Sequence, residues 1–207
     1  NTIQGAKICA TPAYFVENVM KPEQVIVETD ENGKFFMKLE EQSYQLIVST
    51  KDYVPYISYD WIFVGSEKIS DIGKIRLEDS SENVLPEDCN IWAYFSSSLV
   101  VDMSRIDATV RLRSGWNNTK GAYLTDDMGN EYMQTSDGMF YFTDIPLGEY
   151  TAEIVAEGYM KTYVNVVSTV KKYRFLEFCM LPVLPEDTYA LELCYASETE
   201  IDSVAMY

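Results

Sequence analysis

Residues 135–159 read TSDGMFYFTDIPLGEYTAEIVAEGY, and residues 29–53 read TDENGKFFMKLEEQSYQLIVSTKDY. Each stretch opens on a dipeptide that favours a tight reversal, Asp137-Gly138 in one and Asn32-Gly33 in the other, because glycine takes positive φ without a Cβ clash. Each continues with an aromatic strand, Phe140 or Phe35, and then a second run in which large inward residues alternate with polar ones. Tyr150, Ala152 and Ile154 form that inward row in the longer-range copy, and Tyr44, Leu46 and Val48 in the other. Alternation of this kind is the period-two pattern of a half-buried strand. Both runs close on a tyrosine nine residues after the first, Tyr159 and Tyr53, whereas glycine to first tyrosine is 12 residues in one and 11 in the other, a one-residue difference in a turn.

A second internal match widens the pattern. VLPED occurs at 84–88 and again at 183–187, each time ahead of a strand-like run, IWAYF at 91–95 and YALELCYA at 189–196. The spacings define a repeating unit of about 100 residues. The expected organisation is a first sandwich over 1–83, a second over 84–182, and a tail at 183–207 that docks as a strand on the second or begins a truncated third. Strands are expected near 3–10, 24–29, 34–40, 44–50, 53–63 and 73–77, then 90–96, 107–113, 121–125, 131–136, 139–144, 150–156, 162–168 and 172–181. That rhythm, with no stretch holding apolar residues at helical spacing behind a cap, predicts an all-β chain of tandem antiparallel β-sandwiches.

The segment from Ala108 through TVRLRSGWNNTKGAYLTDDMGNEYMQTSDGMFYFTDIPLGEYTAEIVAEGY resembles the carboxypeptidase regulatory-like domain of the prealbumin-like (transthyretin-like) sandwich group. The shared features are the DG-x-F-x-F strand, the P-x-G-x-Y-x-x-x-V strand and the closing Gly-Tyr. The first copy matches more loosely, with DIGKIRL at 71–77 similar to the closing strand. It lacks glycine before Tyr44 and Tyr53, so its turns are expected to differ. The resemblance implies a sandwich and an accessory extracellular module, not a reaction. A related sandwich group in pilins and adhesins cross-links itself through a Lys–Asn bond promoted by an acid in Y-x-L-x-E. The corresponding positions here are Val48 and Ile154, and Glu153 alternates to the outer face, so the resemblance implies no such bond.

The 207-residue chain is 47% apolar and 14% aromatic, which marks an ordered, core-forming protein. With 33 acids against 16 bases and a net charge of −17, it repels polyanions, so no nucleic acid partner is expected. No apolar run reaches the roughly 20 residues of a membrane helix, so no membrane insertion is expected in this segment. There is no histidine, which removes Ser-His-Asp and Cys-His mechanisms for want of the base. No cofactor, metal or catalytic residue is expected. Cys9, Cys89, Cys179 and Cys194 are too scattered for a zinc site; buried thiols are expected, with Cys89–Cys194 or Cys179–Cys194 the alternatives if a disulfide forms. The acidic turns TDENG at 29–33 and TDDMGNE at 125–131 could crowd oxygens around calcium, but read more simply as hairpin turns. Asn117-Asn118-Thr119 matches a glycosylation sequon, without meaning in a bacterial protein.

One segment suggests contact with a ligand. Tyr56, Tyr59 and Trp61 form an aromatic stretch suited to stacking on sugar rings or on a partner's apolar patch. Strand alternation places Pro55, Ile57, Tyr59, Trp61 and Phe63 on one side, with Tyr56 and Asp60 on the other, so the core takes part of the set. The expectation is an extracellular or cell-surface, bacterial, non-catalytic stalk, spacer or adhesion module, touching neighbouring repeats and a protein or glycan. The alternatives are a glycan- or peptide-binding module and the accessory part of a larger enzyme.

Overall fold

The computed structural model describes residues 2–12, 24–65, 69–80, 84–97, 106–170 and 175–183. The strands are β1 (Lys7–Pro12), β2 (Val25–Glu28), β3 (Gln42–Ser49), β4 (Tyr56–Ile57), β5 (Ile62–Val64), β6 (Cys89–Ser97), β7 (Asp107–Ser114), β8 (Met133–Asp137), β9 (Met139–Thr143), β10 (Gly148–Ala156), β11 (Thr162–Val170) and β12 (Leu176–Met180). The only helical element among the described residues is a single 3-10 turn at Pro86–Asp88, inside the first VLPED. The protein is all-β, and its pairings are antiparallel apart from the parallel pair β12 with β6.

Two sheets result. One has five strands in the order β2-β1-β3-β4, with β5 also on β3; the other has seven in the order β12-β6-β11-β10-β7-β8, with β9 on β6. The larger sheet folds over on itself, because β6 and β11 pair only at Asn90 with Thr169 and Cys89 with Val170. Its two layers close on one core. Ile91, Ala93, Phe95, Phe140, Phe142, Leu176, Phe178 and Met180 meet Ala108, Val110, Leu112, Tyr150, Ala152, Ile154, Val164 and Val166. The five-stranded sheet has its own cluster, where Ile8, Ala10, Tyr44, Leu46 and Val48 are covered by Phe35, Met37, Leu39, Ile72, Ile75 and Leu77.

Apart from Ile72, those covering residues lie on the expected strands 34–40 and 73–77, which form no ladder. Their side chains keep the alternation, inward at Phe35, Met37 and Leu39 and outward at Phe36, so the apolar pattern is obeyed without strand pairing. The expected strand at 121–125 is likewise a loop, tied down by the bridge of Thr125 to Glu131. There Asp126 Oδ1 accepts from the amides of Met128 and Asn130, an Asx turn that ends the extended run. The segment 53–63 breaks into β4 and β5 about a bend at Tyr59–Asp60. The second VLPED beyond Val183, the run at 189–196 and Cys194 lie outside the described residues.

The two opening stretches share most of their construction, although β9 pairs with β6 and 34–40 pairs with nothing in a ladder. β2-β1-β3-β4 and β8-β7-β10-β11 share one order and one set of directions. Gly33 and Gly138 both turn with positive φ, 68° and 71°. Tyr44 and Tyr150 each donate their hydroxyl to the carbonyl four residues upstream, Glu40 at 3.1 Å and Pro146 at 2.8 Å. After Tyr53 and Tyr159 the chain makes the same two closing bonds: Val54 N–H to Glu78 O and Ser80 N–H to Asp52 O, against Met160 N–H to Leu181 O and Val183 N–H to Gly158 O. The turn before Tyr53 was expected to differ for lack of glycine. Instead Asp52 itself takes φ 66°, where Gly158 has 78°, because a short polar side chain tolerates the left-handed region.

A tyrosine hydroxyl on a backbone carbonyl contributes about 0.5–1.5 kcal/mol net. Tyr150→Phe and Tyr44→Phe are each expected to lower unfolding free energy by about that amount, with an unchanged denaturant slope, as read by urea titration. A loss below about 0.2 kcal/mol in both would remove these corners from the account of the fold.

Candidate functional site

Three sets of side chains stand out: the aromatic segment singled out above, a buried charge cluster, and the junction between the sheets. Tyr56 pairs across from Val48 and packs half-buried against the smaller core, so it faces inward. Tyr59 is 79% exposed on the bend and Trp61, just before β5, is 39% exposed. Ser58 causes the separation: its N–H donates to Leu46 O at 2.8 Å and its hydroxyl accepts from Leu46 N–H at 3.0 Å, closing the strand before the bend. Phe63, 53% exposed, lies opposite Ser43, and Ile57 opposite Ile47, so both keep to one face of the sheet while Tyr56 keeps to the other.

A denser aromatic group lies elsewhere. Trp92 and Tyr94, on the face of β6 opposite Ile91, Ala93 and Phe95, gather with Tyr141 and Phe175 at ring-centroid distances of 4.8–5.9 Å. The alternation within IWAYF carries that signal, since a strand that buries Ile91, Ala93 and Phe95 on one side sets Trp92 and Tyr94 on the other.

On the outward face of β7 and β10, Arg113 Nη2 donates to Glu153 Oε2 at 3.0 Å, and the two side chains are only 7% and 3% exposed. Tyr123 OH donates to Glu153 Oε1 at 2.7 Å, and the Arg113 guanidinium lies 4.2 Å over the Tyr123 ring while its Nε donates to Gly121 O. Glu153 was expected on the outer face, and it is there, but that face is not wet. The loop 115–124 lies over it: Asn118 N–H donates to Thr151 Oγ1, Thr151 donates to Gly115 O, and Trp116 Nε1–H donates to Val166 O. Strand β10 is therefore buried on both sides from Tyr150 to Ile154, a correction to its reading as half-buried. Burial by itself raises the Glu153 pKa, but hydrogen bonds from Tyr123, Arg113 and Tyr163 and the Arg113 charge outweigh it and hold the carboxyl below its ordinary value. The pair is structural chemistry, with both carboxylate oxygens occupied.

At the junction, the face of the five-stranded sheet away from its own core carries a lateral row, Ile26, Cys9, Ile47 and Ile57, in register across β2, β1, β3 and β4. These residues belong to the core cluster of the other sheet. Beside the row, two glutamines act as short pieces of strand. Gln24 donates from Nε2 to Asn165 O at 3.0 Å and accepts at Oε1 from Asn165 N–H; Gln45 donates to Phe175 O at 2.9 Å and accepts from Glu177 N–H at 3.0 Å. Each amide satisfies a donor and an acceptor on a strand edge that, among the described residues, has no ladder partner at that point. Thr169 Oγ1 donates to Pro55 O at 2.6 Å, and Lys7 meets Glu149 at 2.8 Å.

Cys9 sits in this buried row, and burial pushes its thiol up to about 12 despite hydrogen bonds with Thr11 and Asn165. Cys9 and Cys89 are buried free thiols, and Cys179 is buried with its sulfur 3.5 Å from Ser96 Oγ. The acidic turns spend their carboxylates on backbone: Asp30 Oδ1 accepts from Asn32 and Lys34 amides just as Asp126 does from Met128 and Asn130. No group of three or more possible metal ligands occurs among the described residues. Asn117, first residue of the sequon, stands on a loop turn with φ 57°, its side-chain oxygen accepting from Asn165 Nδ2.

A scan against protein-family models finds no match, nor does a search of curated proteins. Among solved structures the chain is similar to a streptococcal ancillary pilin, at 14% identity and TM-score 0.36 over 88% of this chain and 59% of that one. It is also similar to GBS52, the minor pilin of Streptococcus agalactiae, at 10% identity and TM-score 0.34 over 92% and 88%. A third similarity is to a variant of the shaft pilin SpaA from Lactobacillus rhamnosus GG, at 12% identity and TM-score 0.36 over 89% and 97%. The chain thus spans about three-fifths of the ancillary pilin it matches.

Truncating one partner of the buried pair strands the other charge. Arg113→Ala is expected to cost about 3–5 kcal/mol of stability by chemical denaturation, well above the about 0–1 kcal/mol for breaking the exposed Arg111–Glu131 pair with Glu131→Gln. Equal costs would show that Arg113 and Glu153 are hydrated in solution.

Stability should also fall at both ends of the pH scale. Glu153, lowered in the folded state, contributes stability present above about pH 4.3 and lost as pH falls through its folded pKa. Cys9 and Tyr150, both raised by burial to about 12, contribute stability present below the unfolded pKa, about 8.5 for Cys and about 10 for Tyr, and lost as pH rises toward 12. Urea midpoints across the range check this; in Cys9→Ala the decline beginning near pH 8.5 should shrink.

Proposed function

We propose that the chain is a non-catalytic scaffold from a bacterial secreted or cell-surface protein, two copies of a carboxypeptidase-regulatory-like sandwich acting as stalk, spacer or adhesion module. On this reading the first unit runs over 1–83 and the second over 84–182, with 183–207 docking on the second or opening a third. Support for the repeat comes from the paired tyrosine corners and the matching closing bonds after Tyr53 and Tyr159. One observation carries the functional reading: the buried polar groups that chemistry would need are consumed in joining elements. Arg113 and Glu153 clamp a loop onto β7 and β10, and Gln24 and Gln45 clamp one sheet to the other. Both carboxylate oxygens of Glu153 and both amide groups of Gln24 and Gln45 are engaged in this way, while Arg113 Nη1 is buried without a hydrogen-bond partner among the described residues. The missing histidine removes the usual base as well.

A second reading, contact with a glycan or peptide, is favoured by the exposure of Tyr59, Trp61 and Phe63 on one bend and strand end. Large apolar side chains held out in water by a rigid edge are suited to stacking.

Antibody raised against the folded chain is expected to label intact cells of the source bacterium, and brief protease treatment of those cells should remove the label. Labelling confined to lysed cells would overturn the surface assignment. Beads coated with the chain should retain glycans or peptides under the second reading, with binding reduced at least about tenfold by Tyr59→Ala with Trp61→Ala; unchanged binding in that variant rules this bend out as the contact.

A further inference from the structure

Strand β11 lies across the five-stranded sheet, not alongside it. Its outward residues meet successive strands of that sheet: Asn165 is held by Gln24 next to β2, and Thr169 reaches Pro55 next to β4. Continuing the sheet's register, Gln24 falls level with Gln45 and Pro55 level with Ser49, about 13 Å apart along the strands and about 14 Å apart across them, so β11 crosses the sheet obliquely. Val167, between Asn165 and Thr169, is buried and joins the same cluster as Cys9, Ile47 and Ile57. The oblique crossing packs one sheet on the other over a shared core.

Sequence repetition suggests two separable beads; the crossing argues otherwise. Were the five-stranded sheet to part from β11, Ile26, Cys9, Ile47 and Ile57 would meet water together. The backbone of Asn165 and the β12 edge at Phe175 and Glu177 would lose the partners that Gln24 and Gln45 supply. We infer that the two sheets open and close as a single cooperative unit, with the glutamine clasps and the lateral row transmitting stability from each core to the other. This inference goes beyond the surface role proposed above and does not depend on it.

Native-state hydrogen exchange on the full chain tests it. Leu112→Ala opens a cavity only in the larger core, and should accelerate exchange in β10 by at least about thirtyfold. Under the inference, the protected amides of β3 accelerate by the same factor. In a Gln24→Ala, Gln45→Ala background the β3 response to Leu112→Ala should fall behind that of β10 by at least about tenfold. If Leu112→Ala leaves too little folded chain, Leu112→Val gives the same comparison with a smaller cavity. Unmoved β3 rates in the otherwise natural chain overturn the single unit. Equal acceleration that persists without the glutamines overturns the clasps as its carriers. Because no cell or ligand enters the experiment, its outcome stays distinct from the labelling result.

Discussion

Over most of their length the strands β3, β10 and β11 have water on neither face. Their side chains alternate, as in any strand, but the face turned from the core is covered too, by the loop 115–124 over β10 and by the crossing of β11 over the five-stranded sheet. A strand buried twice cannot leave a polar residue unpaired without a cost of about 1–3 kcal/mol for each group. That constraint explains an unusual inventory of interior polar residues: Thr11, Gln45, Arg113, Thr151, Glu153, Asn165, Ser168 and Thr169. Each has a partner at hydrogen-bond distance, for most of them from a segment that covers or crosses the strand, although Arg113 Nη1 is itself left without one among the described residues.

Paired polar groups in a second layer give the covering segments a fixed seat where apolar contact alone would tolerate sliding. Gln45 can satisfy the β12 edge only in one register, because its amide must meet Phe175 O and Glu177 N–H together. Thr151 fixes the loop in the same manner, accepting from Asn118 and donating to Gly115. The cost is a set of raised or lowered pKa values. Cys9 is an example: a thiol kept protonated by its surroundings is a core hydrophobe and a poor nucleophile.

Much of the architecture was legible in the chain because it rests on local rules. Glycine-led turns, period-two alternation and the tyrosine-to-tyrosine spacing each depend on neighbours within a dozen residues, and they locate β3, β9 and β10 and the rows that face inward. What lay beyond reading is set by distance along the chain. Gln24 meets a residue 141 positions away and Gln45 one 130 positions away, so nothing near either glutamine marks it as a clasp. The double burial of Glu153 was hidden for the same reason, since its cover is a loop that reads as hydrophilic. Extended runs such as 34–40 were misread only in pairing: alternation reports which side chains turn inward and is silent on whether a neighbouring strand accepts the backbone. The aromatic stretch at 53–63 failed at Ser58, where a hydroxyl bonded to Leu46 N–H ends the strand and sends Tyr59 outward.

Charge sets the last condition on the junction. Both halves of the chain carry more acids than bases within a total of −17, so they repel at long range, and the repulsion weakens with salt over a distance of about 8–10 Å. A joint made of exposed ion pairs would weaken under the same screening. The joint here is made of an apolar row, two neutral amides and a hydroxyl, with one ion pair, Lys7 to Glu149, at its margin. Added salt therefore relieves the repulsion while leaving the attraction nearly untouched. Apart from that ion pair, the forces that hold the two halves together are short-ranged and uncharged.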